Sequence, residues 1–429
     1  MYLLTFLEET EYPETTFIWN KRRFTGRFAP AASVRFLKPE QMIVFLTQAT
    51  LEQIYADFEN ELPGDLSIKV VEIPTGATQE EHWQIAQQVN QSIDTGIEVA
   101  FDISHGPLCF PLVGLLTATY MRAARNIELH HILYAAYGID ATPGDGVTPE
   151  IKTNVTPIFD LNEMLSWLEW FSATERFNNT GDARMLSTLL QSERKRLSRA
   201  AQGNKDLLAQ IGSMGKLTGV ITGLSRSLQM IRPGQSLQYF SDLPERLRSV
   251  EGLFNTRSNT LIYTLLVERL QDEFALISKP VNQGADAAAV RVEAERELVN
   301  WYAARELWVE TITLAREWAI NWLMFQLGLV DLTHLQTRQR VERVLGAESH
   351  DYLDSRRKKQ GYSSIFLRDI PHLEDLLKLW LDLTEVRNDI NHAGMREKPG
   401  RPEDLIVRIR ACVEAINRLP VDPGTLPDS

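Results

Sequence analysis

The chain has 429 residues, of which 44% are hydrophobic and 24% are charged, a balance typical of a folded protein with more than one domain. Its 57 acidic residues outnumber its 45 basic residues, and the net charge of −12 disfavours a protein that coats nucleic acid non-specifically. No apolar run reaches the roughly 20 residues of a membrane span, and Cys109 and Cys412 are the only cysteines. We therefore expect a protein of the reducing cytoplasm that does not enter membranes.

Short apolar runs alternate with helical stretches over the first 160 residues. The runs are rich in Val, Ile, Leu and Phe with little polar alternation, as in strands buried on both faces. They are Tyr2–Leu7, Gln41–Thr47, Ile68–Ile73, Ile97–Ile103 and Ile127–Ala136, separated by predicted crossover helices at Thr50–Glu61, Gln79–Ile93 and Pro111–Arg125. This alternation predicts a Rossmann-like α/β domain over residues 1–160. Its parallel sheet should place ligands outside the carboxyl ends of the strands.

From about residue 161 the pattern changes to Leu, Ala, Glu, Arg and Gln at spacings of three and four, which predicts an all-α second half. We divide this half into a helical connector over 161–205 and a helical domain over 206–429. Predicted helical stretches include Leu207–Met230, Leu261–Ala275 and Ala288–Leu327. The charged segment 336–370, which contains the basic run Arg356–Lys359, is expected to be an exposed loop or a short insertion.

Polar residues follow the fourth predicted strand in the order Asp102, Ser104, His105 and Gly106. They fall at the carboxyl end of a buried strand, where a strand-to-helix turn exposes polar groups. The glycine lets a ligand approach the backbone, and the following helix offers N–H groups that suit a phosphate. An equally acceptable interpretation is structural, with Asp102 or Ser104 capping a turn and His105 a satisfied surface histidine.

The loop after the first predicted strand is a weaker candidate. Thr10 and Tyr12 offer hydrogen bonds or stacking for a base, but Glu8, Glu9 and Glu11 are unfavourable neighbours for a polyanion. On these residues alone, a solvated acidic loop is the better interpretation.

The segment from Arg387 to Gly394 reads Arg-Asn-Asp-Ile-Asn-His-Ala-Gly and lies near the end of a predicted helix. An arginine can hold a phosphate and a histidine can move a proton near neutral pH, which indicates metal-free cleavage of a phosphodiester. Five residues turn an α-helix by about 140°, so Arg387 and His392 do not share a helix face. The Ala-Gly pair predicts that the helix stops here, so His392 lies at a helix terminus. Because the two side chains do not share a face, we expect a second chain to complete a site of this kind.

Together these residues resemble a known family. Asp102-Ile-Ser104-His105-Gly106 is similar to the DxTHG motif of CARF–HEPN ribonucleases from type III CRISPR systems, with serine in place of threonine. Residues 12 and 17–19 resemble the aromatic hairpin that follows the first strand in this family. The resemblance extends over roughly the first 185 residues and returns at Arg387–Gly394.

The resemblance implies an N-terminal CARF domain that senses a cyclic oligoadenylate and a C-terminal HEPN domain that cuts single-stranded RNA, without metal or cofactor, as part of antiviral defence. It implies a homodimer, with higher assembly left open, and a composite site at the dimer interface. The implied catalytic residues are Arg387, His392, Asn388 and Asp389. The implied activator ligands are Asp102, Ser104, His105, Gly106, Thr10, Tyr12 and Thr47, with the tetra-adenylate ring favoured.

Two other functions stay open at this stage. One is a CARF-based sensor or regulator whose helical half binds a partner and cuts nothing. The other is a HEPN ribonuclease that responds to no nucleotide signal. RNA cleavage that depends on Arg387 would exclude the first, and full activity without a ligand would support the second.

Overall fold

The computed structural model describes residues 1–107, 109–125, 127–137, 155–201, 204–251, 270, 285–364, 367–395 and 397–421. The chain divides into two compact units, Met1–Leu168 and Glu169–Ser429. The predicted helix Leu261–Ala275 lies outside the described residues, except for its position 270.

The described part of the N-terminal unit forms an eight-stranded, mostly parallel sheet. Its strands are β1 (Tyr2–Phe6), β2 (Thr15–Trp19), β3 (Arg22–Gly26), β4 (Gln41–Leu46), β5 (Ser67–Glu72), β6 (Glu98–Asp102), β7 (Glu128–Ala135) and β8 (Val155–Asp160). Their spatial order is β3-β2-β8-β7-β6-β1-β4-β5. The five strands from β7 to β5 run parallel, whereas β8 is antiparallel to β7 and β3 is antiparallel to β2.

Helices cover both faces of this sheet, which confirms the predicted doubly wound α/β architecture. They are α1 (Ala29–Leu37), α2 (Gln48–Gln53), α3 (Tyr55–Asn60), α4 (Gln79–Gln91) and α5 (Cys109–Arg125). On one face Leu4 and Phe101 share a buried cluster with α4 and α5 residues. On the other face Leu3 and Ala100 share a cluster with residues of α1 and α3. Consecutive strand residues thus point to opposite cores, which explains the absence of polar alternation.

Strand β5 contradicts the prediction that every strand is buried on both faces. It lies at the edge of the sheet and pairs only with β4 among the described strands. Four of its six side chains are exposed, including Val70 at 37%. An edge strand has a neighbour on one side only, so its apolar composition does not predict its burial.

The hairpin of β2 and β3 was expected only from the family resemblance. Its two turn residues, Asn20 and Lys21, have φ values of 49° and 66°. Two consecutive positive φ angles are those of a type I′ turn, whose twist suits a two-residue hairpin. Because this turn has no glycine, the sequence pattern alone did not reveal the hairpin. Strand β8 was also missed by the sequence pattern.

The regular secondary structure of the second unit is all helical over its described residues, as predicted. Its helices are α6 (Asn162–Thr180, which crosses the unit boundary), α7 (Arg184–Ala200), α8 (Lys205–Gln229), α9 (Pro233–Arg248), α10 (Ala285–Ala304), α11 (Trp308–Gln326), α12 (Leu335–Arg357), α13 (Leu373–Asn391) and α14 (Pro402–Arg418). The segment predicted as a connector contributes Leu186 and Leu190 to the same core as Trp318 and Leu383.

In this unit one correctly predicted helical stretch is divided in two, and one prediction was wrong. The stretch Ala288–Leu327 is two helices, because the chain reverses at Glu306, whose φ is 56°. The charged segment 336–370 is not a loop over most of its length but the long helix α12. Val341, Leu345 and Tyr352 are buried along one side of this helix, while most of its charged residues, though not Glu348, lie on the more exposed sides.

Candidate functional site

The sequence-predicted ligand residues of the N-terminal unit come together where the order of the strands reverses. From β1 the chain winds outwards to β4 and β5, whereas β6 pairs with the other side of β1 and leads to β7. The loops after β1 and β6 therefore diverge to opposite faces and leave a crevice between them. Tyr12 and His105 meet there, with 4.1 Å between their ring centroids.

Asp102, the last residue of β6, is completely buried. One carboxylate oxygen accepts the Ser104 backbone N–H at 2.9 Å, and the other accepts the Ser33 hydroxyl of α1. Burial raises the pKa of the Asp102 carboxyl, and the bonds from Ser104 and Ser33 oppose that shift. Asp102 therefore caps the turn after β6, which is the structural role considered from the sequence, and also ties this turn to helix α1.

Ser104 has a second structural contact. Its hydroxyl oxygen accepts the backbone N–H of Ala135 at 2.9 Å, at the carboxyl end of β7. The turn after β6 is thereby joined to the neighbouring strand as well as to α1.

His105 is 1% exposed, so the interpretation of a surface histidine was wrong. Its Nε2 accepts the Ala29 backbone N–H at the start of α1, at 3.1 Å, and lies 3.3 Å from the Tyr137 hydroxyl. The ring is neutral because burial lowers the pKa of His105 to about 3. Since Nε2 accepts from an amide, the proton lies on Nδ1, which is buried and has no hydrogen-bond partner among the described residues.

Gly106 occupies a position that only glycine fits. Its φ is +106°, in the region that side chains rarely adopt. A Cβ atom here would lie 3.3 Å from the Cβ atoms of Phe6 and Phe110. The turn between β6 and α5 is therefore held close to the end of β1.

The loop after β1 is fastened to the same region. The Tyr12 hydroxyl donates to Glu8, and burial together with this bond raises the Tyr12 pKa. Thr47 is the N-cap of α2, accepting the Thr50 N–H at 3.2 Å, and its hydroxyl lies 3.3 Å from Glu9. Thr10 is exposed. Two of the glutamates that seemed unfavourable from the sequence are thus hydrogen-bonded to neighbouring hydroxyls.

Sequence reasoning missed Ser33, Ala29 and Tyr137, which complete the surroundings of Asp102 and His105. Tyr137 could have been found, because it follows β7 and parallel neighbours end at the same edge of a sheet. Ser33 and Ala29 lie in α1, whose short, Ala-rich pattern does not reveal that it packs over the end of β6.

The Arg387–Gly394 segment lies at the end of α13, as predicted. His392 is the C-cap residue, and Ala393 and Gly394 follow with φ values of 52° and 69°. The Gly394 N–H donates to the Asp389 carbonyl oxygen at 3.1 Å, which closes the last turn of the helix.

The four predicted catalytic side chains differ in their surroundings. His392 is exposed, whereas Arg387 and Asn388 are half-buried. The Arg387 guanidinium has neither a carboxylate partner nor a hydrogen-bond acceptor within the part of the chain that the structure describes. Asp389 is 5% exposed, and its carboxylate accepts the Gly400 N–H at 3.2 Å, which anchors the loop between α13 and α14.

The sequence predicts no metal site, and the described residues offer one exposed group with suitable ligand types. Glu98, Glu128 and His130 on β6 and β7 have ligand atoms within 4.8 Å of one another. The His130 Nε2 lies 3.5 Å from Glu128 and 3.8 Å from Glu98, distances typical of exposed ion pairs. We assign no ion to this group.

Among the described helices, none has the length and apolarity to cross a bilayer.

No protein-family model matches the chain. A CRISPR-associated protein of Methanocaldococcus jannaschii is 25% identical over 133 residues, which are 30% of this chain and 19% of that protein. The chain thus spans about a fifth of this relative's length. Among solved structures, Csm6 of Enterococcus italicus bound to cyclic hexa-2′-fluoro-hexa-dAMP aligns over 97% of this chain and 92% of its own, with 10% identity and a TM-score of 0.40. At that level of similarity, the fold assignment depends on this chain's own strands and helices.

The buried state of His105 gives a pH prediction. The folded pKa of about 3 lies below the ordinary value of 6.5, so the unfolded chain binds the proton first. Burial of His105 should therefore lower the stability as the pH falls from 6.5 towards 3. In NMR spectra of the ¹³C-labelled histidine rings, the His105 signal should stay in its neutral form between pH 8 and pH 5. A His105→Gln variant assigns the signal, and titration near pH 6.5 would contradict the buried, neutral state.

Proposed function

We propose that this chain is a metal-independent endoribonuclease of type III CRISPR antiviral defence, activated by a cyclic oligoadenylate and acting on single-stranded RNA. The observation that carries the proposal is the helix end at which Arg387, with no ion-pair partner among the described residues, and an exposed His392 lie five residues apart. The similarity to a CRISPR-associated protein over 133 residues supports the cellular context. The free thiols of Cys109 and Cys412 fit a cytoplasmic protein.

The proposed chemistry needs a phosphate anchor and a proton carrier. Arg387 would hold the scissile phosphate and stabilise its developing negative charge. His392 would transfer a proton from the ribose 2′-hydroxyl, or to the leaving 5′-oxygen. The 2′-oxygen then bonds to phosphorus as the bond to the 5′-oxygen breaks, which yields a 2′,3′-cyclic phosphate and a 5′-hydroxyl. Asn388 would orient the substrate, and the buried Asp389 would hold the helix end in place.

A second copy of the chain is part of this proposal. Arg387 and His392 diverge by about 140° around the helix, so one motif cannot direct both groups at one phosphate. Two motifs that face each other across a two-fold axis would supply an arginine and a histidine from different chains. We therefore propose a homodimer with a composite site.

The crevice at the carboxyl ends of β1 and β6 is the proposed activator site. There the Nδ1–H of His105, which has no partner among the residues that the structure describes, would donate to the nucleotide, and Tyr12 would stack on a base. Thr10, Thr47, Ser104 and the backbone at Gly106 would complete the site, with Asp102 shaping the turn. We propose a cyclic oligoadenylate as the ligand and favour the tetra-adenylate ring.

Replacing His392 tests the catalytic assignment. We expect His392→Asn to lower the rate of RNA cleavage about 10²- to 10⁴-fold, because proton transfer would be lost, while activator binding is unchanged. The matched control is His372→Asn, which changes an exposed histidine at the other end of α13. Cleavage of a fluorogenic RNA is measured in EDTA. Equal rates for His392→Asn and the unchanged chain would disprove the catalytic role.

The activator is tested with the same assay. Each cyclic oligoadenylate is added in turn, and calorimetry measures its binding. We expect tetra-adenylate to bind with the highest affinity and to raise the cleavage rate. Full activity without any ring would support a ribonuclease without nucleotide control, and binding without cleavage would support a sensor that acts through a partner.

The dimer is tested at an apolar surface of the N-terminal unit. Trp83 of α4 and Leu116 and Tyr120 of α5 are 68%, 63% and 62% exposed and line one groove. We propose that a second copy covers this surface, because apolar patches of this kind mark interfaces. Light scattering should report a dimer for the unchanged chain and a monomer for Leu116→Glu/Tyr120→Glu. Met230→Glu, at another exposed apolar residue, should stay dimeric. A dimeric double variant would exclude this surface.

A further inference from the structure

A long groove runs beside the Arg387–His392 helix within the C-terminal unit. Its volume is about 1160 Å³, and it is lined by α11, α12 and α13. Asn388 is its last lining residue on α13 and directly follows Arg387 in the chain. A ligand in this groove would therefore lead to the proposed catalytic residues.

The three lining carboxylates are paired with two arginines. Glu342 pairs with Arg316, while Asp382 and Glu385 both pair with Arg408, at 3.0 and 2.8 Å. The two arginines offset two of the three negative charges. The groove also contains lining cations whose carboxylate partners among the described residues are more distant or absent.

Four nitrogen-bearing side chains keep their charge or their hydrogen-bonding capacity for a ligand. Arg343, His350, Arg356 and Lys378 line the groove and are exposed. Of these, Lys378 has a carboxylate within 4 Å, Asp375 at 3.8 Å, and the other three have no such partner among the described residues. The groove thus presents unpaired positive charge in a chain whose net charge is −12.

The groove residues of α12 form a continuous track. Arg343, Gly346, His350, Leu353 and Arg356 recur at spacings of three and four, so they lie on one side of the helix. From Arg343 to Arg356 this track measures about 20 Å at 1.5 Å per residue. That length fits a single nucleic-acid strand of several nucleotides better than a mononucleotide.

Two hydroxyl groups give an independent indication of a polar ligand. Tyr352 and Thr384 line the groove, and their hydroxyls are buried without a hydrogen-bond partner among the described residues. Buried polar atoms are usually paired, in the chain itself or through a ligand or water. A phosphate or a ribose could supply the missing partner.

We propose that this groove binds the single-stranded RNA substrate, with Arg343, Arg356 and Lys378 on its phosphates and His350 as an added hydrogen-bonding group. The proposal rests on the ribonuclease function proposed above and adds the path by which RNA reaches Asn388. A protein segment is a poorer occupant, because the groove offers cations and two hydroxyls without a partner among the described residues, while its carboxylates are already paired.

The test measures RNA affinity in the full chain carrying His392→Asn, so that the RNA stays intact. Fluorescence anisotropy with a labelled 20-nucleotide single strand is recorded over a series of salt concentrations. Adding Arg343→Gln/Arg356→Gln should weaken binding at least tenfold. It should also reduce the salt slope by about 1.4, since each single-strand phosphate contact accounts for about 0.7. The matched control is Arg340→Gln/Arg357→Gln, which removes the same charge from exposed positions of α12 outside the groove.

Three results would overturn the groove assignment: unchanged RNA affinity, an equal loss of RNA affinity in the control pair, or a loss of cyclic tetra-adenylate binding in place of RNA binding.

The same arginine pair is also placed in the chain with His392 intact, where KM for RNA should rise at least tenfold. If His392→Asn abolishes cleavage but the arginine pair changes neither affinity nor KM, the groove fails and the ribonuclease stands. If RNA affinity falls as expected but His392→Asn still cleaves, the catalytic assignment fails and the groove stands.

Discussion

The reversal of strand order between β1 and β6 is the constraint on which the N-terminal site depends. Both strands end at the same edge of the sheet, and their chains leave towards opposite faces. The turn after β6 has to stay close to β1 while it also supports α1. Asp102 and His105 meet this requirement, because each accepts a hydrogen bond from α1, through Ser33 and Ala29. A crevice with polar groups is the consequence of that junction.

The same contacts explain why this site contains buried polar groups. Burial disfavours a charged histidine, and the His105 ring is neutral. Its Nε2 is still satisfied, because it accepts a hydrogen bond from a backbone N–H. Tyr12 and Tyr137 then pack against the ring. The Nδ1–H is buried and has no hydrogen-bond partner within the part of the chain that the structure describes.

In the helical unit, the corresponding constraint is the end of α13. The helix stops at His392 because Ala393 and Gly394 adopt left-handed conformations, and the buried Asp389 holds the loop that follows. This stop leaves His392 exposed at the terminus and Arg387 more than one turn earlier. Helix α12 lies beside α13 and supplies the cationic side of the groove. Its charged sequence suggested a loop, but Val341, Leu345 and Tyr352 hold it in the core.

Local patterns in the sequence were sufficient to predict the α/β and all-α halves, the buried strands β1, β4 and β6, and the helix stop after His392, since periodicity and left-handed glycine are short-range properties. Tertiary structure alone decided the burial of His105, the exposure of β5 and the partners of Asp102, because each depends on an element distant in the chain. It also decided which carboxylates of the groove are paired, since Arg316 reaches Glu342 of α12, and Arg408 reaches Asp382 and Glu385 of α13, from other helices. Local sequence determines which elements form, whereas burial and charge pairing depend on which elements become neighbours.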